Sequence, residues 1–171
     1  IKFLLIIGAI IIFQYTYQHL NYLNNLKIEY FSISILGLVG TMVMISAYSL
    51  LMLYLGIELL SLALYALIGF NKHSGLSSEA AIKYYVLGAM SSGILLFGIS
   101  LIYGFTGSIN YFEIADQIRN INSNSVQYLG IIFGLIFITA SLCFKFGAAP
   151  FHIWVPDIYQ GSLISLSLIH I

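Results

Sequence analysis

LGIIFGLIFITASLCFKFGAAP, residues 129–150, is an apolar run long enough to cross a bilayer, with a lysine near one end and a proline five residues after it. A lysine near the middle of a membrane helix costs roughly 2.5 to 3.5 kcal/mol on insertion scales. Such a residue is kept where it has a partner or a water-filled cavity, so Lys145 is read as functional, against the plainer reading of a snorkelling side chain. Pro150 has no N–H for the carbonyl of Phe146, and its ring crowds that turn, so the helix is expected to kink or stop there, with the break spanning Gly147 to Pro150. Backbone groups freed at that depth must be buried in protein or line water, which predicts a cavity beside the lysine.

The rest of the chain fits a membrane protein. Of 171 residues, 60% are hydrophobic and 7% charged, and the mean hydropathy is +0.99. Soluble domains carry about a quarter charged residues. The apolar runs exceed the roughly 18 residues of a spanning helix and lack the period-2 alternation of a membrane barrel. The expected fold is therefore an all-α integral membrane bundle. A net charge of zero and six scattered basic residues leave no basic patch for nucleic acid. Cys143 is the single cysteine, too few for an internal disulfide or a multi-cysteine cluster.

About five transmembrane helices are expected within one helical domain covering 1–171, at 3–20, 30–47, 50–70, 79–103 and 128–147. The last is discontinuous and resumes as a short piece at 156–161, where Pro156 and Asp157 suit a first helical turn. The apolar run 30–70 is twice a spanning length, which places a tight turn near Ser46 to Ser49. Gly104 and Gly107 are expected to end the fourth helix. In the polar segment 108–125, Tyr111, Ile114, Ala115 and Ile118 share one helical face, and Asn110 with Glu113 resembles an N-cap. That segment is expected to lie on the membrane surface. Gly130 with Gly134, and Gly88 with Ser92, have helix-packing spacing. The first segment, Phe3 to Phe13, has no cleavage pattern after it and is read as a retained helix. Loop charges tie and give no orientation.

Glu58 falls roughly 12 to 18 Å from either end of its run at 1.5 Å per residue, near mid-membrane. It is read as a proton-exchanging or charge-pairing acid, against the plainer reading of a neutral acid that only packs helices. Lys83 lies four residues after Glu79, so an i, i+4 pair or a snorkelling side chain competes with a role at depth. His152, just past the break, and His170, near the chain end, are candidates for proton relay, and each reads equally well as a loop or interface histidine. One acid and two lysines beside a broken helix suit proton movement. No phosphate loop or metal-ligand cluster is visible.

Three stretches carry a resemblance: YLGIELLSLALYALIGF at 54–70, SGLSSEAAIKYYVLGAMSSGILLFGISLIYGFTGS at 74–108 and FKFGAAPFHIWVPDIYQGS at 144–162. They resemble subunit 2 of NADH:ubiquinone oxidoreductase, respiratory complex I, over about residues 28–162, and KIEYF looks like the start of that family's fourth helix. The resemblance implies the N-terminal half of an antiporter-like subunit. It implies that Glu58 matches the acid of the fifth helix, Lys83 the lysine of the sixth and Lys145 that of the broken seventh, on a hydrated polar axis. It further implies a proton-translocating subunit of the enzyme that does no redox chemistry itself. NADH, FMN, iron–sulfur clusters and ubiquinone would then sit in partner subunits, with no cofactor or metal in this chain. The loop at 71–78 would face the matrix.

Ser49 departs from that family, which usually has an acid or amide there. The sequence ends at Ile171, where an eighth helix would begin, and has one helix ahead of the fourth. Other complex I membrane-arm subunits, lipids and a second polypeptide supplying C-terminal helices are therefore the expected partners, in a split or shortened subunit. Codon-related bias toward Ile, Phe, Tyr and Asn points to the mitochondrial inner membrane. A cation/proton antiporter subunit, or a purely structural segment of the arm, would share the same fold.

Overall fold

The computed structural model describes residues 1–22, 28–71, 74–121 and 125–161. Seven helices are present among them: α1 (Lys2–Tyr22), α2 (Ile28–Ile45), α3 (Leu50–Ile68), α4 (Gly75–Thr106), α5 (Tyr111–Asn120), α6 (Val126–Lys145) and α7 (Val155–Gly161). Five of them, α1, α2, α3, α4 and α6, are long and apolar enough to cross a membrane. His170 and the rest of 162–171 lie outside the described residues.

The ends of the helices follow from local chemistry. Ser49 caps α3 by accepting from the N–H of Met52 at 3.2 Å, which gives this residue a capping task. Ser74 caps α4, which starts that helix at Gly75 rather than at the expected Glu79. At its other end α4 runs through Gly104 and stops before Gly107, whose φ of 72° suits a residue without Cβ. Ser125 caps α6 through the N–H of Tyr128.

The end of α6 differs from expectation in its cause. The helix stops at Lys145, ahead of Pro150. Gly147 takes a positive φ of 62°, its N–H donates to the Phe144 carbonyl at 3.0 Å, and the Ala148 N–H reaches back to Cys143 at 2.9 Å. These two bonds form a Schellman motif that closes the helix on its own. Pro150 then sits in the connection to α7.

Helix α4 is the ruler of the bundle, 32 residues long and so about 48 Å. Both α3 and α6 run antiparallel to it. Gly69 faces Ala81, and Gly88 receives the Tyr65 ring from α3, while Gly98 and Gly134 cross at the α4–α6 contact. Ser91 and Ser141 donate to each other's carbonyls at 3.1 and 2.7 Å in the same seam. Beyond the break, Trp154 stacks on Tyr84 with ring centroids 5.1 Å apart, and the Ser77 hydroxyl donates to the Gly161 carbonyl at 2.7 Å. So α6 and α7 follow the same helix in succession. Gly40 and Gly56 seat α2 against α3, and Phe13 meets Phe31 edge-on to join α1.

Helix α5 docks its apolar face through Ile114, 8% exposed, with Tyr111 and Ile118 half-buried beside it. Ala115, expected on that face, is exposed. Backbone bonds from Leu50 to Ile109 and from Tyr111 to Tyr48 tie the α4–α5 loop to the α2–α3 turn. Asn110 does not cap α5 with its side-chain oxygen. Its amide donates to Glu113 at 3.1 Å instead, and Ser108 donates to the other carboxylate oxygen.

These bonds, Ser108 first, hold the Glu113 carboxyl below its ordinary range. A lowered folded value means that their contribution is present at neutral pH and fades as pH falls through that value. Amide protection at residues 108–113 is expected to drop on acidification below the usual carboxylate range. Glu113→Ala should show the lower protection already at pH 7, with no further loss in acid. Equal protection in both proteins at pH 7 would refute this account.

Candidate functional site

Glu58 is the ninth residue of the nineteen in α3, about 12 Å from one end and 15 Å from the other. Lys145 ends α6, and the helix break brings that end to the depth of Glu58. The carbonyl end of a helix favours a cation.

The ammonium of Lys145 has three donors and meets three oxygens: Ser92 Oγ at 2.8 Å, Ser61 Oγ at 3.2 Å and Glu58 Oε1 at 3.4 Å. The lysine side chain is 11% exposed and the glutamate 23%. Burial on this scale is costly for both charges unless the remaining polar positions are filled. The two serines fill them. Ser92 also donates to Glu58 Oε1 and lies 3.0 Å from the Gly88 carbonyl. Ser61 donates to Ile57 at 2.8 Å.

Lys83 is placed elsewhere. It pairs with Glu79 at 2.8 Å, as the spacing allowed, and with Asp157 of α7 at 2.9 Å, with about half of each side chain exposed. It makes no hydrogen bond or ion pair with Glu58 or Lys145. The structure thus joins two of the three intramembrane charges and assigns the third to the contact between α4 and the half-helix. His152 is exposed in the turn after α6, where its carbonyl accepts from Val155 at 3.0 Å.

The contacts that hold α7 differ in burial, which orders their expected effects. Asp157→Asn removes an exposed, solvent-screened pair and should change stability little. Ser77→Ala deprives the buried Gly161 carbonyl of its donor and should cost about 1–3 kcal/mol. Thermal midpoints of the solubilised protein would reveal the order; a larger loss for Asp157→Asn would overturn it.

Ser61 and Ser92 join the site in the structure without standing out among the candidate residues of the sequence. Ser61 follows Glu58 by three and so shares its face, a signal present in the sequence. In the sequence Ser92 is marked only by its helix-packing spacing from Gly88. On α6, Gly134, Ile138, Ser141 and Lys145 recur at i, i+4, i+7 and i+11, one stripe that turns the lysine toward α4. Among the described residues no group of three or more His, Cys, Asp or Glu is placed to hold a metal ion.

Comparisons with known proteins agree with this architecture. The family model described as NADH:quinone oxidoreductase/Mrp antiporter, TM, matches residues 47–170. NADH-quinone oxidoreductase subunit N of Thioalkalivibrio sulfidiphilus is 46% identical over 158 residues, 92% of this chain and 32% of that protein. Its counterpart in Ruthia magnifica is 53% identical over 140 residues, 82% of this chain and 29% of that protein. A chain of respiratory complex I from Thermus thermophilus, solved with bound aureothin, superposes with a TM-score of 0.70 at 33% identity, covering 84% of this chain and 31% of that one. The chain spans about a third of the length of the curated relatives it matches. With well over half of its residues matched by the family model, this multi-pass membrane chain belongs to the NADH:quinone oxidoreductase/Mrp antiporter transmembrane family.

Proposed function

We propose that the chain forms part of a non-redox, proton-translocating subunit in the membrane arm of NADH:quinone oxidoreductase, with Lys145 and Glu58 as groups that hold and pass protons. The observation that carries this reading is the interhelical Lys145–Glu58 pair at mid-membrane, satisfied by Ser61 and Ser92 and set at a helix break. A charge pair that can exchange a proton, fixed between three helices, is suited to stepwise transfer. Lys83 with Asp157, and His152, are assigned to the flanks of the same path, and His170 is kept as a relay candidate from the sequence.

Other membrane-arm subunits are the partners, and helices corresponding to the remaining two-thirds of the relatives cover the open side of α6, whether in this or a second polypeptide. NADH, FMN, iron–sulfur clusters and the quinone are assigned to partner subunits, in keeping with a sequence that has one cysteine. The relatives are bacterial, which supports a bacterial inner membrane over the mitochondrial one expected from composition. A cation/proton antiporter would use similar geometry, but the relatives' names favour the oxidoreductase.

The test is Lys145→Ala in the assembled complex, reconstituted in vesicles, with protons moved per NADH oxidised as the readout. A marked fall is expected. Unchanged stoichiometry with intact assembly would sink the proposal, and NADH-independent, Na⁺-dependent exchange would favour the antiporter.

A further inference from the structure

We infer that Ser92 is the proton relay between Lys145 and Glu58, and that rotation of its hydroxyl gates the transfer; this rests on the proposed function above. The direct separation of Nζ and Oε1 is 3.4 Å, long for a proton-transferring hydrogen bond. The path through Ser92 is better connected. Its Oγ accepts from Lys145 at 2.8 Å and donates to Glu58 Oε1.

A hydroxyl has one proton and two acceptor positions, so it receives on one side while donating on the other. In the transfer, an Nζ–H proton of the ammonium moves to Ser92 Oγ as the hydroxyl proton of Ser92 moves to Glu58 Oε1. One N–H and one O–H bond break, and two O–H bonds form. Lys145 ends as a neutral amine and Glu58 as a neutral acid, with Ser92 still a hydroxyl whose proton now points back toward Lys145. The hydroxyl must turn before a second transfer. The Gly88 carbonyl, 3.0 Å from Oγ, gives the proton a resting acceptor during that turn. With the hydroxyl donating to Gly88 the wire is open; with it donating to Glu58 the wire is closed.

Ser61 touches the same ammonium without offering a second path. Its single proton is directed to the Ile57 carbonyl at 2.8 Å, and no hydrogen bond joins Ser61 to Glu58. Ser61 therefore positions Lys145, and Ser92 conducts.

The test is the rate of NADH-driven proton translocation in the assembled complex, with assembly checked on native gels. Ser92→Ala is expected to slow it on the order of tenfold, below the usual general acid–base contribution because water can enter the vacated space. Ser92→Thr keeps the hydroxyl and should restore the rate to within about twofold, whereas Ser92→Cys keeps the size and should not, since a thiol is a weak donor. Ser100→Ala, whose exposed hydroxyl serves only its own helix at Phe97, should translocate at the wild-type rate. An assembled Ser92→Ala or Ser92→Cys protein at the wild-type rate, with Lys145→Ala impaired, would overturn the relay and leave the proposed function standing. A Ser92→Thr protein as slow as Ser92→Ala would reduce Ser92 to packing and also overturn it. Wild-type rates in both Ser92→Ala and Lys145→Ala would overturn the proposed function and the relay together. Should Ser92→Ala fail to assemble, Ser92→Cys decides by the same criterion.

Discussion

Lys145→Met alone is expected to destabilise the α3–α4–α6 cluster by on the order of 3 kcal/mol, and Glu58→Leu combined with Lys145→Met to recover most of that loss. The single change removes the cation paired with Glu58 and leaves a carboxyl 23% exposed that keeps its hydrogen bond from Ser92. The double change removes both charges. Neither serine is then stranded, because Ser92 retains the Gly88 carbonyl and Ser61 the Ile57 carbonyl, each within its own helix. The site thereby becomes apolar with its hydroxyls satisfied, and burying such a site costs little. Stability and translocation should part company: the double variant assembles and moves no protons through this site. Thermal midpoint and assembly yield of the detergent-solubilised complex measure the first, and vesicle proton uptake the second. A double variant as unstable as Lys145→Met would mean that shape, not uncompensated charge, sets the cost.

How much of this site was legible in the sequence depends on the residue. Glu58 and Lys145 interrupt hydropathy, and so they announce themselves. Ser61 and Ser92 do not, since a serine hydroxyl in a membrane helix is commonly satisfied by the carbonyl four residues back, as at Ser34 and Tyr30, and leaves no mark on the pattern. Finding Ser92 requires the register of α4 against both α3 and α6, which is set by tertiary contacts at Gly88 and Gly98. The spacing of Glu79 and Lys83 gave one half of the lysine's environment. The other half, Asp157, comes from a half-helix folding back along α4 across 74 positions of sequence. The break after Lys145 was expected from Pro150, yet Gly147 ends the helix first, because a left-handed residue closes the last turn before the proline is reached.

The register itself is open to test at Gly98. A Cβ there would sit 2.9 Å from the Gly134 carbonyl oxygen and 3.0 Å from the Ile138 backbone nitrogen, both main-chain atoms that move only if α6 moves. Gly98→Ala should therefore cost about 1–3 kcal/mol, as overpacking typically does, and Gly98→Leu should prevent α6 from docking. The displacement acts along the seam. Ser91 and Ser141 lie about two turns from the crossing, and the 2.8 Å contact of Lys145 with Ser92 lies beside them. Even the alanine variant should thus slow translocation although it touches no protonatable group. Gly93→Ala and Gly104→Ala provide the comparison on the same helix. Neither Cβ would meet anything within 4 Å, and each change raises helix propensity by up to about 1 kcal/mol. Those two proteins should be as stable as the parent or slightly more so, with translocation intact. If Gly98→Ala behaves like them in both midpoint and proton uptake, close approach at this crossing does not set the distance between Lys145 and Ser92.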